Sequence, residues 1–248
     1  MRLVAHRGFA AVNPENTLRA VRSAARVACR SSRWSVLPLA RTEASLRSAS
    51  RVADAVEVDV RRCGSGELVA IHDATVDRVT DGAGPVADHT LAELGDMDVL
   101  GTGEGVPTLS AVLAAVPDGV AVDVELKETG TAADALAAVN DSDADARISA
   151  FDPDVLAACR SADASVPRAL LAPADGVAAI DTARELDCTA LHPAAEVCDG
   201  HLVERAHAAG LAVHAWTVDR PGTARSLADR GVDGLIADRP DVRPDDGA

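Results

Sequence analysis

Apolar and polar residues alternate without interruption over residues 56–60, VEVDV. Glu57 and Asp59 occupy the polar positions, and three valines occupy the others. Because successive side chains of a strand point to opposite faces, an extended segment here directs both acids to one face and the valines to the other. The pattern therefore predicts a strand with one apolar face and one acidic face.

A second apolar segment, residues 68–71, follows this strand after a short interval. A parallel crossover needs a dozen or more residues, so we predict an antiparallel hairpin. If its turn centres on Gly64 and Ser65, His72 lies directly across from Glu57. Taken alone, the same alternation would also suit an edge hairpin whose polar face meets water.

Residues 120–127, VAVDVELK, repeat the alternation and place Asp123, Glu125 and Lys127 on one face. Beyond them, strand-like segments alternate with alanine-rich helical segments. The predicted strands are residues 148–151, 169–172, 190–192, 213–218 and 235–237, and the predicted helices are residues 153–161, 176–186, 199–209 and 222–230.

With an initial strand at residues 3–5, the chain has nine predicted strands, of which residues 68–71 form the return arm of the hairpin. The other eight are separated by helical sequence, which is the pattern of a TIM (β/α)8 barrel. A doubly wound open sheet is the alternative, but the chain has no GxGxxG nucleotide turn to support it. We therefore predict an α/β fold, a TIM barrel with a β-hairpin after the second strand.

Two stretches depart from this alternation and are predicted to be insertions in a single domain that spans residues 1–248. Residues 29–51 are rich in arginine and serine, and we expect them in the outer helical layer, away from any site. Residues 74–107 are rich in Asp, Gly and Thr, with one short helical signal near residues 91–94. Because long ordered loops often shape binding sites, we expect this second insertion to form a small cap over the mouth of the barrel.

Charge narrows the range of partners. The chain has 248 residues and a formal net charge of −15 at pH 7, which argues against a nucleic acid or an anionic membrane held by a basic surface. No apolar run approaches the roughly 18 residues of a membrane span, so stable membrane insertion is not expected. Lys127 is the only lysine in the sequence, and its use at that position invites a specific explanation.

The five cysteines are odd in number and form no CxxC pair, which indicates neither a zinc site nor a complete disulfide framework. Reduced thiols are typical of the cytoplasm, and no apolar signal region precedes the first strand. We predict a cytoplasmic protein. The sequence does not indicate its oligomeric state.

In a TIM barrel the active site lies at the carboxyl ends of the strands. The reactive side chains of this chain occur there: His6 and Arg7 after the first strand, Glu57 and Asp59 at the end of the second, His72 after the hairpin, and Glu125 and Lys127 at the end of the next barrel strand. Residues 13–17 are predicted to open a helix with Pro14 in its first turn, which brings Glu15 close to the first strand end. Trp216 lies near the end of a later strand, so Glu15 and Trp216 are candidate substrate-binding residues.

Three carboxylates in one place would raise one another's pKa unless a cation lies between them. Glu57, Asp59 and Glu125 offer only oxygen ligands, which favour a hard divalent ion such as Mg²⁺ or Ca²⁺ over zinc. The acidic face therefore predicts a divalent metal site.

Cations and imidazoles complete the predicted site. Arg7 and Lys127 would supply the positive charge that a phosphate group needs. His6 and His72 would then be available for proton transfer, one deprotonating a nucleophile and the other protonating a leaving alkoxide. The sequence leaves open which histidine is the acid and which is the base.

Nine short strings, in order along nearly the whole chain, resemble the glycerophosphodiester phosphodiesterase family. They are HRG at 6–8, PENT at 14–17, VEVDV at 56–60, IHD at 71–73, PTL at 107–109, VELK at 124–127, SAFD at 149–152, AWTV at 215–218 and GVDG at 231–234. The resemblance implies a TIM barrel that hydrolyses glycerophosphodiesters to glycerol phosphate and an alcohol, using a divalent cation.

The resemblance also implies roles for individual residues. It matches His6 and His72 to the acid/base pair, Glu57, Asp59 and Glu125 to the metal ligands, and Arg7 and Lys127 to the phosphate contacts. It matches residues 74–107 to the inserted segment that roofs the family's site, whereas residues 29–51 make this chain longer there than the family pattern.

Two other functions stay open at this point. One is a phosphodiesterase of the same fold that acts on another phospholipid head group, and the other is a non-catalytic barrel that binds a phosphate ligand. The intact set of candidate residues favours an enzyme, a phosphoric diester hydrolase. The remaining histidines are expected to be ordinary surface or core residues; they are His89, His192, His201, His207 and His214.

Overall fold

A computed structural model describes residues 1–24 and 53–243 of the chain. Within these ranges nine strands form one sheet with the order β1-β9-β8-β7-β6-β5-β4-β2-β3, and an additional pairing of β1 with β2 closes it into a barrel. The strands are β1 Arg2–Ala5, β2 Ala55–Arg62, β3 Leu68–Ala70, β4 Ala121–Leu126, β5 Ala146–Ala150, β6 Arg168–Ala172, β7 Ala190–Pro193, β8 Ala212–Val218 and β9 Gly234–Ala237. Among these described strands all barrel pairings are parallel, and only β3 is antiparallel, to β2. The predicted TIM barrel is confirmed, and the open-sheet alternative is excluded.

Helices separate the barrel strands. In the described ranges they are α1 Leu18–Ala24, α2 Leu91–Asp96, α3 Leu109–Ala115, α4 Ala132–Asn140, α5 Pro153–Ala162, α6 Gly176–Glu185, α7 Gly200–Ala208 and α8 Pro221–Asp229. Several begin at a side-chain cap; for example, the carboxylate of Asp199 accepts a hydrogen bond from the backbone N–H of Leu202. None of the described helices has the length and apolar character needed to cross a membrane.

The first helix begins later than predicted. Residues 13–17 form turns, and α1 starts at Leu18, so Pro14 lies before the helix instead of in its first turn. Asn16 adopts a left-handed φ of 56°, which interrupts helical geometry, and the Thr17 hydroxyl then accepts a hydrogen bond from the Ala20 N–H as the cap.

The alternation in β2 sorts its side chains as predicted. Val56, Val58 and Val60 are fully buried in the core between the strands and the surrounding helices. The acids of β2 take the opposite face, where Glu57 is level with Asp123 and Asp59 is level with Glu125 of β4. The barrel interior beside these strands is therefore acidic, while the outside of the barrel is packed with aliphatic side chains.

The hairpin differs from the prediction in its register. Arg62 pairs with Leu68 and Val60 with Ala70, so the turn centres on Ser65 instead of between Gly64 and Ser65, and the register differs from the predicted one by one residue. A five-residue connection with Gly66 at a φ of 106° accounts for the shift. Since a one-residue shift moves every partner, His72 does not lie across from Glu57. Likewise β2 does not end at Asp59 but continues to Arg62, because its last residues pair with β3 outside the barrel.

The segment between β3 and α3 has a small apolar core of its own. Val76, Val86 and Leu94 are buried there and pack with residues of the hairpin, including Val69 and Ile71. The short helical signal predicted near residues 91–94 is α2, which begins at a Thr90–Glu93 capping box. The predicted insert at residues 29–51 lies outside the described residues, and the organisation of residues 1–248 as one domain stays a prediction.

Candidate active site

The first strand end carries a tight turn that aims functional groups into the barrel mouth. His6–Gly8 form a single 3-10 turn with Arg7 at a φ of 51°. Gly8 has a φ of 78°, and a Cβ there would lie 2.6 Å from the Cβ of Ala20, so only glycine fits. The turn lets the backbone N–H of Arg7 donate to Glu57 Oε2 at 2.9 Å, which fixes that carboxylate from above.

Three carboxylates meet where β2 and β4 lie side by side. Glu57, Asp59 and Glu125 each offer one oxygen within 4.8 Å of the others, and all three are at most 5% exposed. Burial raises the pKa of Glu57 well above its ordinary value, and the negative charges of Asp59 and Glu125 raise it further. Burial and Asp59 also raise the pKa of Glu125.

Asp59 differs because two cations adjoin it. The Nζ of Lys127 lies 2.7 Å from Asp59 Oδ1, and the Nε of Arg7 lies 3.1 Å from Asp59 Oδ2. Burial opposes ionisation of Asp59, but Lys127 and Arg7 outweigh it and lower the pKa of Asp59. Asn16 adds a hydrogen bond from its side-chain amide to Asp59 Oδ2 at 2.8 Å. The ammonium of Lys127 also contacts Glu125, which explains a lysine at this position.

An aspartate holds each of the two candidate catalytic histidines. His6 Nδ1 lies 2.6 Å from Asp238 Oδ1, and His72 Nδ1 lies 2.6 Å from Asp73 Oδ1. Since a carboxylate can only accept, Nδ1 carries the proton in both rings, and Nε2 is left to exchange a proton with another molecule. Burial lowers the pKa of His72, which favours its neutral form.

One cavity of about 80 Å³ brings most of these groups together. Its polar lining consists of His6, Arg7, Glu57, His72, Glu125, Lys127, Ser149, His192 and Thr217, and its apolar wall consists of Phe151, Leu171, Trp216 and Ile236. The rings of Trp216 and Phe151 meet edge to face at 5.4 Å. The cavity therefore has a charged side and an aromatic side.

Seven of the nine candidate residues line this cavity directly. The other two, Asp59 and Glu15, lie behind it and hold Arg7, Glu15 through a hydrogen bond from Arg7 Nη1 at 3.2 Å. Sequence reasoning missed Asp73 and Asp238 as partners of the histidines. Asp73 follows His72 directly, which is a usable signal, whereas Asp238 lies 232 positions from His6.

His192 is buried, which is one of the two placements expected for it, at 1% exposure. It also lines the cavity, which its sequence context did not indicate. Its backbone carbonyl accepts a hydrogen bond from the indole N–H of Trp216 at 2.7 Å, so β7 and β8 together fix the aromatic wall.

The model of the glycerophosphoryl diester phosphodiesterase family matches residues 37–242, most of the chain. The chain belongs to this family. Its predicted class, a phosphoric diester hydrolase, is therefore confirmed. A glycerophosphodiester phosphodiesterase of Caldanaerobacter subterraneus subsp. tengcongensis is 30% identical over 254 residues, which cover 97% of this chain and 95% of that protein.

Solved structures of the family have the same barrel. A phosphodiesterase of Oleispira antarctica, in complex with the product sn-glycerol-3-phosphate, is 26% identical with a TM-score of 0.79, covering 97% of this chain and 94% of that one. A glycerophosphodiester phosphodiesterase of Thermotoga maritima has a TM-score of 0.74 at 22% identity, covering 98% and 96% of the two chains. At that identity, the second likeness speaks for the fold alone.

Proposed function

We propose that this chain hydrolyses glycerophosphodiesters to glycerol phosphate and an alcohol, with His6 and His72 as the general acid and base and with a divalent cation at Glu57, Asp59 and Glu125. The observation that carries the proposal is the convergence of two aspartate-held imidazoles and the acidic cluster on one cavity. The product bound to the Oleispira antarctica phosphodiesterase agrees with a glycerol phosphate product here.

The donor set fits a hard divalent cation. Glu57 Oε1 is buried and has no hydrogen-bond partner among the described residues, and burial with like-charged neighbours raises the pKa of Glu57 and Glu125. Carboxylate oxygens of this kind suit Mg²⁺ or Ca²⁺. Bound there, the cation would neutralise charge on the phosphoryl oxygens and make the phosphorus atom more electrophilic.

Arg7 and Lys127 are proposed to bind the phosphate. Both side chains are mostly buried and reach the cavity, and both are held by carboxylates behind it. An arginine fork and a lysine ammonium attract non-bridging phosphoryl oxygens as charge builds on them. Trp216, with Phe151, is proposed to pack against the carbon skeleton of the substrate.

The histidines are proposed to move the protons. With Nδ1–H held by an aspartate, the Nε2 of one ring accepts the proton of the attacking oxygen, and the Nε2–H of the other protonates the departing alkoxide. Asp73 and Asp238 stabilise the imidazolium state, which the base reaches when it accepts its proton and which the acid holds before it donates one.

The four cysteines of the described residues are free thiols, which accords with the proposed cytoplasmic setting.

The test is turnover of several glycerophosphodiesters, measured as released glycerol phosphate, before and after treatment with a chelator. Chelation should abolish turnover, and Mg²⁺ or Ca²⁺ should restore it. His6→Ala and His72→Ala should each lower turnover by about 10² to 10⁴-fold, whereas His201→Ala, at an exposed position of α7, should leave it unchanged. Near-normal turnover in either site variant refutes that residue's role. If the enzyme hydrolyses only phosphodiesters with other head groups, the proposed substrate is wrong.

Metal binding can be checked without turnover. A saturating divalent ion should raise the free energy of unfolding by about 2.7 kcal/mol at a concentration one hundred times its Kd. Glu57→Gln should lose that stabilisation. An equal gain in the variant would show that the ion binds elsewhere.

A further inference from the structure

Arg78 joins the segment that follows the hairpin to two carboxylates beside the active site. Its Nη1 and Nη2 donate to the two oxygens of Glu15, each at 2.8 Å, and its Nε donates to Asp73 Oδ2 at 2.5 Å. One guanidinium thus binds Glu15 as a fork and Asp73 at its third edge, a geometry that the planar group of arginine allows and the ammonium of lysine does not.

Each of these carboxylates holds a residue of the site. Asp73 gives one oxygen to Arg78 and the other, Oδ1, to His72 Nδ1 at 2.6 Å. Glu15 Oε1 accepts from Arg78 and also from Arg7 Nη1 at 3.2 Å. A single carboxylate therefore separates Arg78 from the proposed proton-transfer group, and another separates it from the proposed phosphate-binding group.

Arg78 does not contact the substrate cavity itself. Its side chain is 48% exposed, it does not line the cavity, and all three of its nitrogens are directed to carboxylates. An ion pair this exposed adds little to stability. Its geometry matters in another way, because a carboxylate held at both oxygens cannot rotate away from the ring it orients.

We propose that Arg78 is a positioning residue that orients His72 through Asp73 and Arg7 through Glu15. This inference rests on the proposed function, in which His72 transfers a proton and Arg7 binds phosphate. The segment around Arg78 thereby contributes to turnover without touching the substrate.

Loss of Arg78 should raise the pKa of His72, an effect that is not expected if the side chains around His72 only become more mobile. The charged groups that influence His72 are Asp59, Asp73, Lys127 and Arg7, and among the described residues only Asp73 of these hydrogen-bonds Arg78. Without the guanidinium, the charge of Asp73 acts on His72 alone, so the imidazolium is favoured. The limb of the pH profile that reports His72 should therefore move to higher pH in Arg78→Gln, and to lower pH in Asp73→Asn, which lacks the charge.

The experiment compares kcat, KM and the pH profile of kcat in wild type, Arg78→Gln, Arg78→Lys and Asp73→Asn. Arg78→Gln should lower kcat by about 10- to 100-fold, the usual effect of losing a residue that orients a site group. Arg78→Lys should recover only part, because it keeps the charge but not the fork. The matched control is Arg160→Gln, which removes another half-exposed arginine paired with a carboxylate, Asp187, and should leave kcat and the profile unchanged.

Each outcome decides the matter. An Arg78→Gln enzyme with wild-type kcat and an unmoved pH limb overturns the inference, as does full recovery in Arg78→Lys. If Arg78→Gln does not fold, Arg78→Lys and Asp73→Asn carry the same test. Failure of the proposed function is seen separately, because it would appear as near-normal turnover in His72→Ala, whereas failure of this inference leaves His72→Ala inactive and Arg78→Gln active.

Discussion

Asp123 and Glu125 lie two residues apart on β4, both face the barrel interior, and both are at most 5% exposed. Burial raises the pKa of each. The two acids thus share a strand, a face and nearly the same burial. Their neighbours differ: those of Asp123 satisfy its carboxylate, whereas those of Glu125 leave room for a ligand to bind.

Asp123 belongs to what we call the lower polar layer, defined as Asp123, Arg147, Ser149, His192 and His214. The Ser149 hydroxyl donates to Asp123 Oδ1 at 2.6 Å, and His192 Nδ1 lies 3.8 Å from Asp123 Oδ2. The two imidazoles stack at 5.1 Å, and Arg147 Nη1 lies within 3.4 Å of a nitrogen of each ring. One acid is balanced by one arginine, a hydroxyl and two rings.

Glu125 belongs to what we call the rim cluster, defined as Arg7, Glu57, Asp59, Glu125 and Lys127. Three carboxylates there share two cations, and Glu57 Oε1 has no hydrogen-bond partner in the described part of the chain. A buried acid among like charges with an unpaired oxygen stays costly until a cation arrives. The contrast teaches that a raised carboxylate pKa identifies a ligand site only when the partners are incomplete.

The largest expected effect is a difference in turnover between two variants, each of which neutralises one acid of one set. If Glu125 is a metal ligand as proposed, Glu125→Gln should lower turnover by at least about a thousandfold, since losing the ligand removes several kcal/mol of transition-state stabilisation. Asp123→Asn should leave turnover within about threefold, because Asn keeps an oxygen acceptor for the Ser149 hydroxyl. Steady-state kinetics with saturating Mg²⁺ or Ca²⁺ measure both.

The two variants also differ in what they do to stability. Glu125→Gln removes repulsion, so the metal-free variant should unfold at the wild-type temperature or above it. A large loss of turnover in Asp123→Asn would break the comparison, because the lower polar layer would then take part in the reaction.

An intermediate effect concerns pH and the lower polar layer alone. Burial, together with His192 and Arg147, lowers the pKa of His214 from 6.5 to about 3. The unfolded chain therefore takes up a proton near pH 6.5 that the folded chain does not. Stability that is complete above pH 6.5 is lost progressively as pH falls toward 3, by about 2 kcal/mol at pH 5.

Denaturant unfolding at pH 7.5 and pH 5 measures this loss. His214→Asn should have a smaller difference between the two pH values than wild type, whatever its absolute stability. His201→Asn, at an exposed position of α7, should keep the wild-type difference. Equal differences in wild type and His214→Asn would mean that the ring is not held neutral by its surroundings.

The sequence predicts which side chains share a face but not how high each lies in a closed barrel. Alternation in residues 56–60 and 120–127 suffices to bring Glu57, Asp59 and Glu125 together, because the period of a strand is two and adjacent parallel strands hold their register. Asp123 has the same alternation and the same strand. Its neighbours differ because Arg147 and the two histidines come from three other strands. The stagger between strands, which sets how these side chains meet, leaves no local pattern in the sequence.

Turn geometry and distant pairs set the other limits. The predicted hairpin register was wrong by one residue because the connection has five residues and Gly66 takes a left-handed conformation. The His6–Asp238 pair forms only when β9 closes the barrel against β1. Asp73 could have been found beside His72, since a carboxylate next to a proton-transfer group is itself informative.

The smallest expected effect concerns Ser149, which touches both sets: it lines the substrate cavity, and its hydroxyl donates to Asp123 at 2.6 Å. Ser149→Ala should lower the free energy of unfolding by about 1 kcal/mol and leave turnover within about threefold. The matched control is Ser165→Ala, whose hydroxyl donates to Asp163 over the same 2.6 Å but at an exposed position, where water replaces the lost bond.

Ser149 lies between the two sets. On β5 it is level with Glu125, and it is two residues beyond Arg147 on the same face of the strand. If its hydroxyl serves only Asp123, the loss appears in denaturant unfolding and not in kcat. A hundredfold fall in kcat without a change in unfolding would mean that the hydroxyl acts on the bound phosphate diester. Ser149 would then belong with the rim cluster and not with the lower polar layer.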